Sequence, residues 1–139
     1  MPERRVLVDT GPIVALLLSQ EPRHEWATEQ FKSLPAPLLT CEPVLTEASH
    51  FVRKLPGGTA RYFELLQSGA IAVAFELAAE LSAVATIARK YESVPASLAD
   101  ACLVRMAELH PGATVLTFDR HFRIYRAGKR RAIKLLMPD

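Results

Sequence analysis

The chain has 139 residues, half of them apolar and 23% charged, which suits one globular domain and leaves no room for a second of ordinary size. Its apolar runs are far shorter than the ~20 residues that cross a bilayer, and Asp9 interrupts the one stretch near the start that resembles a secretory segment, so neither membrane insertion nor export is expected. The net charge of +2 conceals an asymmetry: seven basic and no acidic residues lie between Arg120 and Lys134, which leaves ten basic against fifteen acidic residues elsewhere and suggests contact with a polyanion.

The first element, "RVLVD", is a short apolar strand that ends on a carboxylate, and the run Ile13 to Leu18 behind it predicts a helix. Asp9 at the junction has an ordinary explanation, capping of that helix, with Gly11 easing the turn and Pro12 tolerated at the first helical position. Next comes "PRHEWATEQFKSL", with Trp26, Gln30, Phe31 and Leu34 at helical spacing, stopped by Pro35. "APLLTC" (36–41) is a second strand. The helix "EPVLTEASHFVRKL" after it sets Val44, Leu45, Ala48, Phe51, Val52 and Leu55 on one stripe, which with Phe51 and Val52 can serve either a dimer contact or the core, the core being the expected role.

Punctuation at "LPGG" (55–58) and "SG" (68–69) precedes the strand "AIAVAF" (70–75), and "ELAAELSAVATIARKYESV" is amphipathic over five turns. "ASLADACLVRMA" is helical in pattern and stops at "HPG" (110–112). Two more strands follow, "ATVLTF" (113–118) and "AIKLLM" (132–137). Continuous apolar strands alternating with helices predict a three-layer α/β/α domain around a central, mostly parallel five-stranded sheet, spanning residues 1–139 as a single unit. In such sheets ligands gather outside the carboxyl ends of the strands, where the strand order switches.

Cys41 and Cys102 stand in apolar surroundings without C-x-x-C or zinc spacing, so reduced core thiols in a cytoplasm are expected. No G-x-S-x-G and no phosphate-binding glycine loop occurs, which removes the common nucleophile and P-loop chemistries.

Carboxylates in unusual places remain. Asp119 repeats Asp9, because "TVLTFD" is again a strand ending on an acid, although alone it also fits a cap for "RHFRIY". Asp100 is flanked by Leu98, Ala99, Ala101, Cys102 and Leu103, so nearly every helical rotation leaves it at the core edge; burial then requires a partner, either a cation such as Arg105 or one from solution. Glu47 borders the apolar stripe of its helix, about two turns after a strand's carboxyl end, and can face the same edge as Asp9.

"VLVDTGPIVALL", "EPVLTEASHFV", "SLADACLVRMAE" and "VLTFDRHF", in that order and spacing, resemble the PIN-domain nucleases, and the length is similar to that of VapC-type toxins of toxin-antitoxin pairs. The resemblance covers the whole chain. It implies that Asp9, Glu47, Asp100 and Asp119 form an acidic pocket for Mg²⁺ or Mn²⁺, that Thr10 and Thr117 support it, and that RNA phosphodiesters are hydrolysed to a 5′-phosphate and a 3′-hydroxyl. It also implies an antitoxin partner and a homodimer. Hard oxygen ligands without histidine suit those metals. Arg120, Arg123 and Arg126 are expected to draw the RNA backbone toward the acids, whereas Phe118, Phe122 and Tyr125 are expected in the core.

Three other readings are weighed, one of them a purely structural domain whose four acids are caps, which requires Asp100 to be neutral or salt-bridged. A receiver-like phosphotransfer domain normally has an acidic pair after its first strand, a mid-chain strand-end aspartate and a late lysine, whereas here Asp9 stands alone, no mid-chain strand ends on Asp, and "TVLTFD" has no Lys. A catalytically silent PIN-like module that only binds RNA or a partner is the alternative that keeps all four acids.

Overall fold

The computed structural model describes residues 5–139; residues 1–4, which the single-unit expectation and the argument against export include, lie outside them. In chain order the elements are β1 (Val6–Val8), α1 (Thr10–Leu17), α2 (His24–Ser33), β2 (Leu38–Thr40), α3 (Glu42–Val52), α4 (Gly58–Gln67), β3 (Ile71–Val73), α5 (Leu77–Lys90), α6 (Leu98–Leu109), β4 (Thr114–Leu116), a 3-10 turn (Arg120–Arg123), β5 (Arg126–Ala127), β6 (Arg131–Ala132) and β7 (Lys134–Leu136).

All five strands expected from the sequence join one sheet in the order β3-β2-β1-β4-β7, and each neighbouring pair is parallel. The register places Val6, Thr114 and Lys134 side by side at the amino edge and Val8, Leu116 and Leu136 at the carboxyl edge. The chain builds outward from β1 through β2 to β3, then returns to the other side of β1 for β4. The switch of strand order therefore falls between β1 and β4, where a parallel sheet opens a crevice.

β1 is buried throughout because it sits mid-sheet with helices against it, which is why "VLV" has no polar alternation. α6 packs beneath β1 and β4 and buries Ala99, Ala101, Cys102, Leu103, Val104, Met106 and Ala107. Its small residues let the helix approach the sheet closely. Cys41 and Cys102 are buried free thiols, and the hydrogen bond between them, with burial, pushes the Cys41 thiol up so that it stays neutral.

Two features were not predicted from sequence. α4 buries only Gly58 and Tyr62, a stripe too thin to stand out. The antiparallel pair β5 and β6 forms a hairpin of two-residue strands with its turn at Gly128, whose φ of 70° is costly for other residues. A third difference concerns Phe51. Its side chain is 51% exposed while neighbouring Val52 is buried, so the expectation of a core role fails. The last turn of α3 borders the crevice, and among the described residues no element buries Phe51 there.

Candidate active site

Asp9 follows β1 at the carboxyl edge and is only 7% exposed. It is the N-cap of α1: Thr10 N–H donates to Oδ1 at 2.8 Å, and the Thr117 hydroxyl donates to Oδ2 at 2.7 Å from the end of β4. The capping role and a place in the crevice therefore coexist. Burial pushes the Asp9 carboxyl from the usual range up to about 6; the Thr117 and Thr10 hydrogen bonds oppose this, and the nearby charges of Asp100 and Asp119 add to it.

Thr10 serves a second acid. Its hydroxyl donates to Glu47 Oε2 at 3.0 Å, tying α3 to the start of α1. Glu47 is half-buried on the face of α3 turned to the carboxyl edge.

Asp100 is half-buried in the first turn of α6, where it forms a capping box with Ser97: Asp100 N–H donates to Ser97 Oγ at 3.1 Å and Ser97 N–H donates to Asp100 Oδ2 at 3.0 Å. The Tyr125 hydroxyl donates to the same Oδ2 at 3.3 Å. The arginine considered as its partner is engaged elsewhere, since Arg105 pairs with Glu80 at 2.7 Å and Glu108 at 3.1 Å. Among the described residues, Asp100 Oδ1 is left without a donor.

Asp119 caps the 3-10 turn, accepting from His121 N–H at 2.9 Å, with His121 Nδ1 3.2 Å from the same Oδ1. Thr117 links the two strand-end acids: while its hydroxyl donates to Asp9, its oxygen accepts from Asp119 N–H at 2.9 Å. A single side chain thus ties the Asp9 carboxylate to the backbone of Asp119 at the switch point.

Asp9, Glu47, Asp100 and Asp119 all line one cleft of about 680 Å³, together with Thr10, Gly11 and Ser97. Its other flank is apolar, with Val14, Leu18, Phe51, Leu55 and Phe118, and Glu21 and Lys54 also border it. Among the described residues no three acidic, histidine or cysteine side chains converge into a ready metal cage. The donor set is nonetheless all oxygen, and like charges without a counter-ion are expected to stay apart.

The remaining expected residues divide. Arg120 and Arg123 are exposed on the turn behind Asp119. Arg126 is half-buried, and its Nη1 donates to the carbonyls of Arg123, Ile124 and Tyr125 at 2.8, 3.2 and 3.0 Å, so that guanidinium organises the turn. Phe122 and Tyr125 are in the core as expected. Phe118 instead lies half-buried at the cleft, against Trp26 and beneath the Arg23 guanidinium, with its ring so near Gly11 that a Cβ there would lie 2.8 Å from it.

Sequence reasoning missed Ser97 and Tyr125. The S-x-x-D spacing of Ser97 and Asp100 was a visible signal for the first. Nothing local marks the second, because Tyr125 meets Asp100 only through the tertiary fold.

The PIN domain family matches residues 6–128. Fold and site define the class: the chain belongs to the PIN-domain family. A curated relative, Ribonuclease VapC26 of Mycobacterium tuberculosis, is 32% identical over 124 residues, covering 87% of this chain and 92% of that one. A crystal structure of Mycobacterium tuberculosis VapC20, described as a sarcin-ricin loop cleaving toxin, superposes with a TM-score of 0.72 at 19% identity over 82% of this chain and 89% of that chain, a likeness of fold. Within the family this chain is of the VapC ribonuclease type. Among the described residues no helix is long and apolar enough to cross a membrane.

Proposed function

We propose that the chain is the RNA-cleaving toxin of a toxin-antitoxin pair, acting in the cytoplasm on RNA phosphodiesters with Mg²⁺ or Mn²⁺ at the cleft. One observation carries this reading: four carboxylates from four separate segments line one cleft, and each is held in place by donors of the chain itself. Carboxylates that serve only as caps have no reason to converge at the switch point.

Asp9 and Asp100 are the central ligands in this reading, with Glu47 and Asp119 beside them. The donors fit a hard divalent cation that keeps several waters and shares its remaining positions with substrate phosphate. Such a cation, when bound, supplies the positive charge that offsets the charge growing on the phosphate and the leaving oxygen during hydrolysis. Thr10 and Thr117 hold Asp9 in its ionised orientation, and Tyr125 with the Ser97 backbone holds Asp100, so the acids need little rearrangement when the cation arrives. Arg120 and Arg123 then attract the RNA backbone to an otherwise repulsive cleft. An open cleft at a sheet edge suits a single-stranded or looped RNA whose phosphate can be splayed out. An antitoxin that covers the cleft and a homodimer complete the proposal.

The test is divalent-dependent cleavage of mixed cellular RNA by purified protein, beside Asp9→Asn and beside chelator. Cleavage is expected to fall about a thousandfold in Asp9→Asn, roughly 4 kcal/mol of transition-state stabilisation. Cuts that persist in the variant point to a contaminating nuclease. A folded protein that binds RNA and never cuts replaces this reading with the silent module.

A further inference from the structure

The basic block of residues 120–134 does not stay together in space. Arg120 and Arg123 stay on the turn next to Asp119, but the chain then runs along α6 to its other end, where Gly128 N–H donates to Glu108 Oε2 at 2.7 Å. Lys134 opens β7 opposite Thr114, at the amino edge of the sheet. Asp100 and Glu108 lie in the first and last turns of α6, eight residues apart, which is about 12 Å at ~1.5 Å per residue. Lys129, Arg130, Arg131 and Lys134 are all exposed and stand at the pole opposite the carboxylates.

Arg5 joins them: its carbonyl accepts from Thr114 N–H at the start of β4, and its Nη1 lies 2.8 Å from His110 Nδ1. Burial, and then the Arg5 charge, hold the His110 imidazole below its usual range, as expected where the potential is positive. Glu108, the carboxylate that touches the hairpin, is already bound by Arg105 and by Gly128 N–H. Among the described residues none of Lys129, Arg130, Arg131 and Lys134 forms an ion pair. A solvated face normally intersperses both signs, as α5 does with Glu80, Arg89 and Lys90. Here like charges are crowded onto a short hairpin, and a polyanion relieves that repulsion.

We infer that the β5–β6 hairpin, with Lys134, is a second RNA-contact site that grips the phosphate backbone of a folded RNA while its scissile strand lies in the cleft at the other end of α6. The inference rests on the proposed nuclease reading for the cleft, not for the hairpin's own affinity. A separation of about 12 Å along α6 is several nucleotide steps, so a stem-loop reaches both sites and a dinucleotide does not. RNA is favoured over a lipid surface because residues 126–132 include no large apolar side chain to insert, and stable membrane attachment needs more than charge.

The experiment measures binding of a stem-loop RNA, of a dinucleotide and of anionic phospholipid vesicles to Asp9→Asn protein, with and without Lys129→Glu/Arg130→Glu/Arg131→Glu, across a salt series. For the stem-loop, charge reversal is expected to raise Kd about tenfold or more and to flatten the log Kd against log salt slope by about 2–3. The dinucleotide is expected to bind equally well before and after. The triple alanine variant, with its unfolding midpoint unchanged, gives a smaller shift in the same direction. An unchanged salt slope, or equal losses for both RNAs, overturns the inference, as does a loss confined to anionic phospholipid vesicles. Wild-type protein that never cleaves, with the stem-loop result intact, removes the cleft reading and leaves the hairpin site standing.

Discussion

The two ends of α6 use charge in opposite ways. At its amino end the carboxylates of Asp9, Glu47, Asp100 and Asp119 are each fixed by short hydrogen bonds from threonine hydroxyls, backbone N–H groups or Tyr125. At its carboxyl end Lys129, Arg130 and Arg131 of the hairpin are exposed to solvent, and the Gly128 hydrogen bond there anchors the turn, not these charges. Chemistry on a phosphate depends on sub-ångström placement, so its charges are locked; attraction of a polyanion depends on charge density, so its charges stay mobile. The lesson is that burial and fixation, more than sign, separate a reacting site from a gathering one.

The largest effect at the carboxylate end is expected from pH. The Asp9 carboxyl is raised to about 6 in the folded chain from 3.8, so the fold favours its neutral form. The stability it contributes is fully present below about pH 4 and is lost as pH rises through about 6, on the order of 3 kcal/mol. The difference in denaturant stability between wild type and Asp9→Asn, followed from pH 4 to 8 without metal, is expected to trace that window. Mg²⁺ or Mn²⁺ at millimolar concentration is expected to narrow it and to raise the melting temperature at neutral pH. A flat difference, or no thermal shift with metal, removes the picture of a strained acidic end. No comparable window is expected from Lys129→Ala, because an exposed lysine charge is solvated in both states.

A middle-sized effect is expected at Tyr125. Replacing it by Phe keeps the buried ring, which packs against Tyr91 and Phe122 with centroids 4.9 and 5.0 Å apart, and deletes only the hydroxyl on Asp100. About 1 kcal/mol is at stake. As a positioning residue it should weaken Mn²⁺-induced thermal stabilisation several-fold and lower kcat with KM unchanged, whereas a purely structural role moves the unfolding midpoint alone.

The smallest effect is expected at Phe51. Truncation to Ala at this exposed lip of the cleft should change stability by no more than about 0.5 kcal/mol. For contrast, Phe122→Ala, which removes the buried side chain of the turn that follows Asp119, should cost about 3–5 kcal/mol. A large loss at Phe51 in the isolated chain would mean that α3's last turn is covered after all.

Much of the fold was legible because its cause is local. Five strands without alternation announce a parallel sheet, and their apolar runs set the buried stretch of β1, β2 and β4. Asp9 and Asp119 were legible for the same reason, since an acid at the end of a buried strand conflicts with the surrounding pattern. Phe51 was misread because helical spacing identifies a stripe without saying what covers each turn of it. The hairpin escaped notice because two-residue strands carry no periodicity, and α4 because its buried stripe is nearly absent.

By itself, then, the sequence determined the strands, most helices, the positions of the acids and the crowding of cations near the end of the chain, all of which follow from side-chain chemistry and spacing along a few turns. Only the tertiary structure decided that Thr117 joins the Asp9 carboxylate to the Asp119 backbone, that Tyr125 reaches Asp100, and that the basic block divides between the two ends of α6. Those outcomes depend on strand order and on helix direction relative to the sheet, and both are set by packing between segments that are far apart in the chain.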